Sequence, residues 1–473
     1  MTRSLPLALI VVSTLALSGK TLAASDDAEP HLPMVLSAGS DRDTLNAEDR
    51  AIAEWLHNLI EHSLYQYVPR EQDRPGIEAF YRARGFKPVW VRNGVPLPRV
   101  RAAIDFLQGL GADGLNPSDY PTPYFNGRSD YRLAADELML TNSLLTFAHH
   151  AVAGRVDPAR VAGTIQFDRT EPELSDVLAQ LAEAADVRAS LENLLPQQAE
   201  YKALKAALAS ERIEGSVPPA GSRAQSRIGR IDTIIDNMDR WRWLPRDLGT
   251  AYVMVNLPDY SLRVIDHGRT VWSTRIVVGR PGPSSTPLFS QVMTRIVVNP
   301  AAGATHPTAA SPSSDTSSSR GAPGRIRFDI PNKFLVTQSG ASDRGSPTKS
   351  ERFHGRASML VEDAEQYAQV LLSIVQPEDG FTVENIRGLY GGGEQGIPFK
   401  TPIPVHVTYQ TAFTDDSGQL QIRPDIYGYD RRMTNLLRDD HGIADDPAQY
   451  NRGSASKSAV RSPARSPFSF PWD

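Results

Sequence analysis

The stretch AYVMVNLPDYSLRVIDHGRTVWSTRIVVG, Ala251 to Gly279, decides the architecture. Apolar and polar residues alternate along it, the period of strands with one face against a core. The tetrapeptide Asp266-His267-Gly268-Arg269 sits between two such runs and predicts a tight hairpin turn. Upstream the period changes to that of a helix. IGRIDTIIDNMDRWRWLP, from Ile228, sets Ile231, Ile234, Ile235 and Met238 on one side. Downstream, further strands are expected around Arg295–Val298, Arg325–Phe328, Phe334–Val336, Val405–Tyr409 and Gln419–Ile422. A single helix, Asp363–Val375, interrupts them.

The N-terminal half reads differently. AIAEWLHNLIEHSL places Ile52, Trp55, Leu56, Leu59 and Ile60 on one apolar helix face. GIEAFYRARGFKPVWV gives a helix closed at Gly85 and a short extended piece through Val89 and Val91. Helices over DELMLTNSLLTFAHHAVAG and from Leu174 to Ser210 complete a mostly helical unit. The predicted fold class is therefore α+β: a mostly helical N-terminal domain, then a mainly antiparallel β domain with one packed helix.

The expected boundaries follow from composition. Residues 1–24 have the order of a secretory signal peptide: Arg3, an apolar run from Leu5 to Leu17, then small residues before cleavage after Ala23 or Ala24. The apolar run is shorter than the ~20 residues of a membrane span. Residues 25–47 form a polar leader, 48–212 the helical domain, and 213–227 a Gly/Pro/Ser-rich linker. A connecting helix at 228–246 leads into the β domain, 247–438. Within it 301–324 is low in complexity, and 439–473 is a Ser/Pro/Arg-rich tail expected to be disordered. The leading reading is an exported protein of the periplasm or cell envelope.

Of the 473 residues, 40% are hydrophobic and 22% charged, with a net charge of −5, so no basic excess points to nucleic acid. There is no cysteine, which removes disulfides, thiolate metal sites and thiol nucleophiles together. No His/Asp/Glu cluster has metal-ligand spacing, and His149-His150 project about 100° apart on a helix and cannot share a metal. LYGGGEQG lacks the Lys-Ser/Thr of a phosphate loop. No metal and no cofactor is implied.

Several stretches resemble the large exported L,D-transpeptidases, whose YkuD-type domain cross-links peptidoglycan. They are RWRWLPRDLG, YVMVNLPDYSLRV, VVGRPGPSSTPLFSQVM, VVNP, GRIRFDIPNKFLV, VED, TPIPVHVTYQTAF and LQIRPDIYGYDRR. IEAFYRARGFKPVWV, DGLNPSDY and AGRVDPARV look like that family's helical scaffold domain. The resemblance implies cysteine chemistry on a tetrapeptide stem, with a histidine base and backbone N–H groups holding the oxyanion. In the family these sit in a His-Asp-Thr-Pro segment followed by Ser-His-Gly-Cys.

Aligned without a gap between Pro331-Asn332 and Val361-Glu362-Asp363, the nucleophile position falls on Ser358. The base position falls on Arg356, the motif glycine on Ala357, the preceding serine on Gly355 and a later arginine on Leu360. His-Asp-Thr-Pro falls on Ser339, Gly340, Ala341 and Ser342. Ser339, Gly340 and Ala357 are thus degenerate substrate-binding positions. A serine hydroxyl needs a positioned base, and a guanidinium with a pKa above ~12 cannot be one. His354 is the one nearby candidate base. On a straight strand, residues four apart lie about 13 Å from each other, so only a tight loop would bring His354 to Ser358. A second register takes His354-Gly355 as the motif pair, with a two-residue insertion before Ser358. His406 in PVHVTY is read as structural.

The first expectation is a non-catalytic cell-wall homologue that binds or scaffolds. Its partners would be peptidoglycan peptide stems, weakly held or lost, and other cell-wall enzymes. The alternatives are a transpeptidase or carboxypeptidase working through Ser358, and a decaying gene copy. An intact framework with damage confined to the site argues against decay.

Overall fold

The computed structural model describes residues 45–126, 129–167, 173–213, 222–301, 325–340, 353–354, 358–415 and 417–439. The predicted signal peptide, most of the leader, the 302–324 segment and the tail lie outside these residues.

The N-terminal half contains α1 (Ala47–Tyr67), α2 (Arg74–Ala83), the ribbon β1 (Val91–Arg92) and β2 (Val95–Pro96), α3 (Pro98–Gln108), α4 (Asp130–Ala153), α5 (Pro158–Val161), β3 (Ile165–Gln166), α6 (Leu174–Glu183), α7 (Val187–Glu192) and α8 (Ala199–Ile213). Asn46 starts α1 by accepting from Asp49 N–H (2.7 Å). Ile52, Leu56, Leu59 and Ile60 are buried as the spacing predicts, but Trp55 is 43% exposed and sits edge-on to Tyr131. The helical stripe is thus narrower than the sequence implies.

The second half runs α9 (Ser222–Trp243), β4 (Ala251–Asn256), β5 (Ser261–Asp266), β6 (Arg269–Gly279), β7 (Leu288–Val298), β8 (Ile326–Asp329), β9 (Gln338–Gly340), β10 (Phe353–His354), β11 (Met359–Val361), α10 (Ala364–Val375), α11 (Val383–Gly388), β12 (Gln395–Thr408), β13 (Ala412–Thr414), β14 (Leu420–Ile422) and α12 (Tyr429–Asp439). The hairpin β5–β6 turns at His267 (φ 47°) and Gly268 (φ 74°), the positive-φ pair that a two-residue turn demands.

Most strand pairs are antiparallel, with parallel joins at β9–β11, β4–β12, β6–β10 and β3–β7. The order β6-β11-β9-β8-β7-β12-β4-β5 returns to β6, so the sheet closes on itself. At the Arg275–Ile276 peptide β6 passes from one partner strand to the other. Ile276 N–H donates to Tyr260 O (3.0 Å) before β5, while Arg275 O accepts from Glu362 N–H (3.1 Å) after β11. α10 packs on the apolar face. There Tyr367 stacks on Trp272 (5.4 Å, 9°) and tilts against Phe328, and its hydroxyl donates to Gln338 Oε1 (3.1 Å).

Four expectations need correction. α9 begins at Ser222, inside the predicted linker, because the breakers Pro218, Pro219 and Gly221 all precede it. Phe334–Val336 is not a strand: Asn332 accepts from Val336 N–H (3.0 Å) and donates to Val336 O (2.8 Å), leaving neither for a ladder. The pairing strand is Gln338–Gly340 instead. β12 starts well before Val405, because a register break between Pro398 and Ile403 lets the strand run through this proline-rich stretch. Beside the expected α10, the β domain also holds α11 and α12.

α9 joins the halves. Toward the helices, Arg242 donates to Tyr201 Oη (3.0 Å) and Asp113 O (2.6 Å), and Trp243 Nε1 donates to Val156 O (3.0 Å). Toward the sheet, Arg240 pairs with Asp430 (2.6 Å) beneath Tyr409. Asp239 accepts from Arg155 N–H, Val156 N–H and Arg242. Arg240, Arg242 and Asp239 are all buried.

Candidate functional site

The sheet sorts the candidate residues by face. Register places Gly340 beside Val361, Ser339 beside Leu360 and Arg327, and Leu360 beside Val277. Gly340 turns toward α10: a Cβ there would stand 2.7 Å from Ala364 Cβ. Its lack of a side chain is explained by that close approach. Ser339, one residue earlier, lies on the opposite face and is half-buried.

Ser358 immediately precedes β11 and is half-buried. Met359 N–H donates to Thr337 O (3.0 Å), which holds the two chains side by side. Thr337 Oγ1 donates to Ser358 Oγ (3.2 Å). Among the residues whose side chains are described, a set that does not include His354, no His, Asp or Glu hydrogen-bonds to Ser358. Its oxygen is engaged as an acceptor, an arrangement that does not draw off the serine proton.

Arg356 and Ala357 lie outside the described residues. The backbone of His354 is placed: Phe353–His354 runs parallel to β6 at Val278–Gly279, while Leu360–Val361 runs antiparallel to it at Val277–Ile276. The chain therefore reverses direction between His354 and Met359. The straight-strand separation does not apply to this pair.

Next to this region lies a charged cluster that the sequence reading did not single out. Asp329 accepts from Arg295 (2.6 Å) and Arg327 (2.7 Å). Burial pushes its carboxyl up, but these two hydrogen bonds outweigh it and the pKa falls below the usual carboxylate range. The alternation in RIRFD, with Arg325, Arg327 and Asp329 two apart, was the signal available for it.

A family model of the L,D-transpeptidase catalytic domain (YkuD) matches residues 250–371, and a Scaffold-domain model matches residues 75–208. The chain carries an L,D-transpeptidase catalytic domain preceded by a Scaffold domain. The catalytic-domain match runs from the first strand of the closed sheet through Ser358 and into α10. No curated protein matches the chain.

In this L,D-transpeptidase-like chain the histidines with described side chains in the second half are structural or peripheral. His406 is bonded through Nδ1 to Ser290 Oγ (2.9 Å) and through Nε2 to Leu248 O (3.0 Å). Because a carbonyl only accepts, Nε2 carries the proton. Burial lowers the pKa of His406, only partly offset by the bond to Leu248. His267 lies in the hairpin turn. In the scaffold, His150 is buried against Tyr120 Oη (2.9 Å). No group of three His, Asp or Glu side chains suited to a metal is present among the described residues, and no helix among them is long and apolar enough to cross a membrane.

Proposed function

We propose that this protein is a non-catalytic member of its family, exported to the periplasm or cell envelope, which binds peptidoglycan peptide stems or scaffolds other cell-wall enzymes. One observation carries the reading: the hydroxyl at the nucleophile position accepts from Thr337 and hydrogen-bonds to no base among the residues whose side chains are described. A cysteine thiolate brings its own nucleophilicity, whereas a serine without a base is inert at neutral pH. The closed sheet and its packed α10 support a retained fold rather than a decayed gene copy.

The test is mass spectrometry of the full chain incubated with a disaccharide-tetrapeptide donor and a free amine acceptor. No D-Ala release is expected. Released D-Ala with tripeptide or cross-linked product would overturn the reading.

A second reading has one observation in its favour. The chain reverses direction between β10 and β11, so His354 and Ser358 are not held apart on one straight strand, which supports a serine–histidine pair. Under it the same assay yields product, and Ser358→Ala abolishes that product.

A further inference from the structure

The closed sheet carries a second recess, away from Ser358. A groove of about 580 Å³ lies where α8 and α9 meet the outer face of β5 and β6 and the β13–β14 ribbon. Its size suits a small-molecule or short-peptide ligand. Neither Ser358 nor Thr337 lines it.

Two features of the lining point to a ligand. The first is a pair of arginines. Register sets Arg263 opposite Ser273 and Ser261 opposite Arg275, so Arg263 and Arg275 are diagonal neighbours on one sheet face. Neither makes an ion pair among the described residues. The third arginine, Arg423, is already held by Asp259 (2.6 Å). The second feature is the floor. Trp241 and Gln410 are only 4% and 6% exposed, yet Trp241 Nε1 and Gln410 Oε1 have no hydrogen-bond partner among the described residues. A buried donor and a buried acceptor left unpaired are costly, and together they match the two halves of an amide.

The acids in the groove fix the rest of the chemistry. Asp259 is spent on Arg423, and Asp415 accepts from Ser417, Gln419 and Gln421. Glu200, near the start of α8, has no ion pair among the described residues and is left to meet a positive group.

We propose that this groove binds a short peptide ending in a free carboxylate: Arg263 and Arg275 take the carboxylate, Trp241 and Gln410 an amide, and Glu200 an ammonium. Paired guanidinium groups suit a carboxylate by geometry as well as charge. The inference stands whether or not Ser358 turns over a substrate.

The test is calorimetric titration of the full chain with two tetrapeptides, the stem L-Ala-γ-D-Glu-L-Lys-D-Ala and an ordinary L-peptide of equal length and net charge. Each is used with a free and with an amidated C-terminus. Saturable binding of the free-acid peptide is expected, weakened about tenfold to a hundredfold by amidation and again by Arg263→Gln/Arg275→Gln. Arg101→Gln, which removes one positive charge from the exposed face of α3, should leave it intact. Trp241→Phe reports on the floor separately and should weaken binding less. Preference for the stem makes peptidoglycan the source, and equal binding makes it any peptide C-terminus; either result upholds the carboxylate site. No binding at millimolar peptide, or binding indifferent to amidation or to the double variant, with the variant's thermal unfolding unchanged, would overturn it.

Discussion

Two regions of this molecule handle polar groups in opposite ways. Where α9 joins the halves, Asp239, Arg240 and Arg242 are buried and each is given several partners. Around Ser358 the polar contact is one hydroxyl against another, half-buried. Charges taken out of water are tolerated only when paired and hydrogen-bonded, so the join constrains its sequence tightly. A single half-buried hydroxyl pair constrains far less. The contrast means that substitutions are tolerated far less at the join than around Ser358.

The contrast is broken most directly at the join. Asp239→Ala leaves Arg242 buried with less compensation and should destabilise the protein by about 3–5 kcal/mol in urea unfolding. A loss below about 1 kcal/mol would mean that the network is decorative. Next in size is the pH response of Glu137. It is fully buried in α4, accepting from Val89 N–H, Trp90 N–H and Tyr81 Oη, and burial, outweighing those bonds, raises its pKa from 4.5 to about 7. A carboxyl whose folded pKa is raised holds its proton more tightly when folded. Its contribution is therefore greatest below pH 4.5 and is lost as the pH rises to about 7, by about 3 kcal/mol in all. Glu137→Gln should flatten stability across that window; an unchanged slope would assign the dependence elsewhere.

Gly340→Ala, pressing a methyl group toward Ala364, should cost about 1–3 kcal/mol by overpacking. A neutral result would show that α10 can withdraw. The smallest effect is expected at the site. Thr337→Val should change stability by less than about 1 kcal/mol, and Ser358→Cys alone should not restore cross-linking in the mass-spectrometric assay. Product from that single variant would mean that a base does reach position 358.

The sequence made some of this legible and hid the rest for physical reasons. The β5–β6 hairpin was readable because alternation and a His-Gly turn are local signals. The closure was not, since it depends on β4 meeting β12 and β6 meeting β11 across long separations. Short strands such as β9 and β11 carry too few residues to display a period. Ser358 was singled out only by its place in a family pattern, whereas its hydrogen-bond partner Thr337 had no signal of its own. Gly340, read as a degenerate binding position, is accounted for by helix packing.

The closed sheet also dictates an order of events as the chain is made. β4 and β5 emerge early, but the strand that covers the open side of β4 is the last part of β12, Val405–Thr408. Until then β4 presents a row of unpaired N–H and C=O groups, a template for pairing with any other extended chain. A nascent or truncated chain that stops short of β12 is thus an aggregation hazard in a way that the finished ring is not.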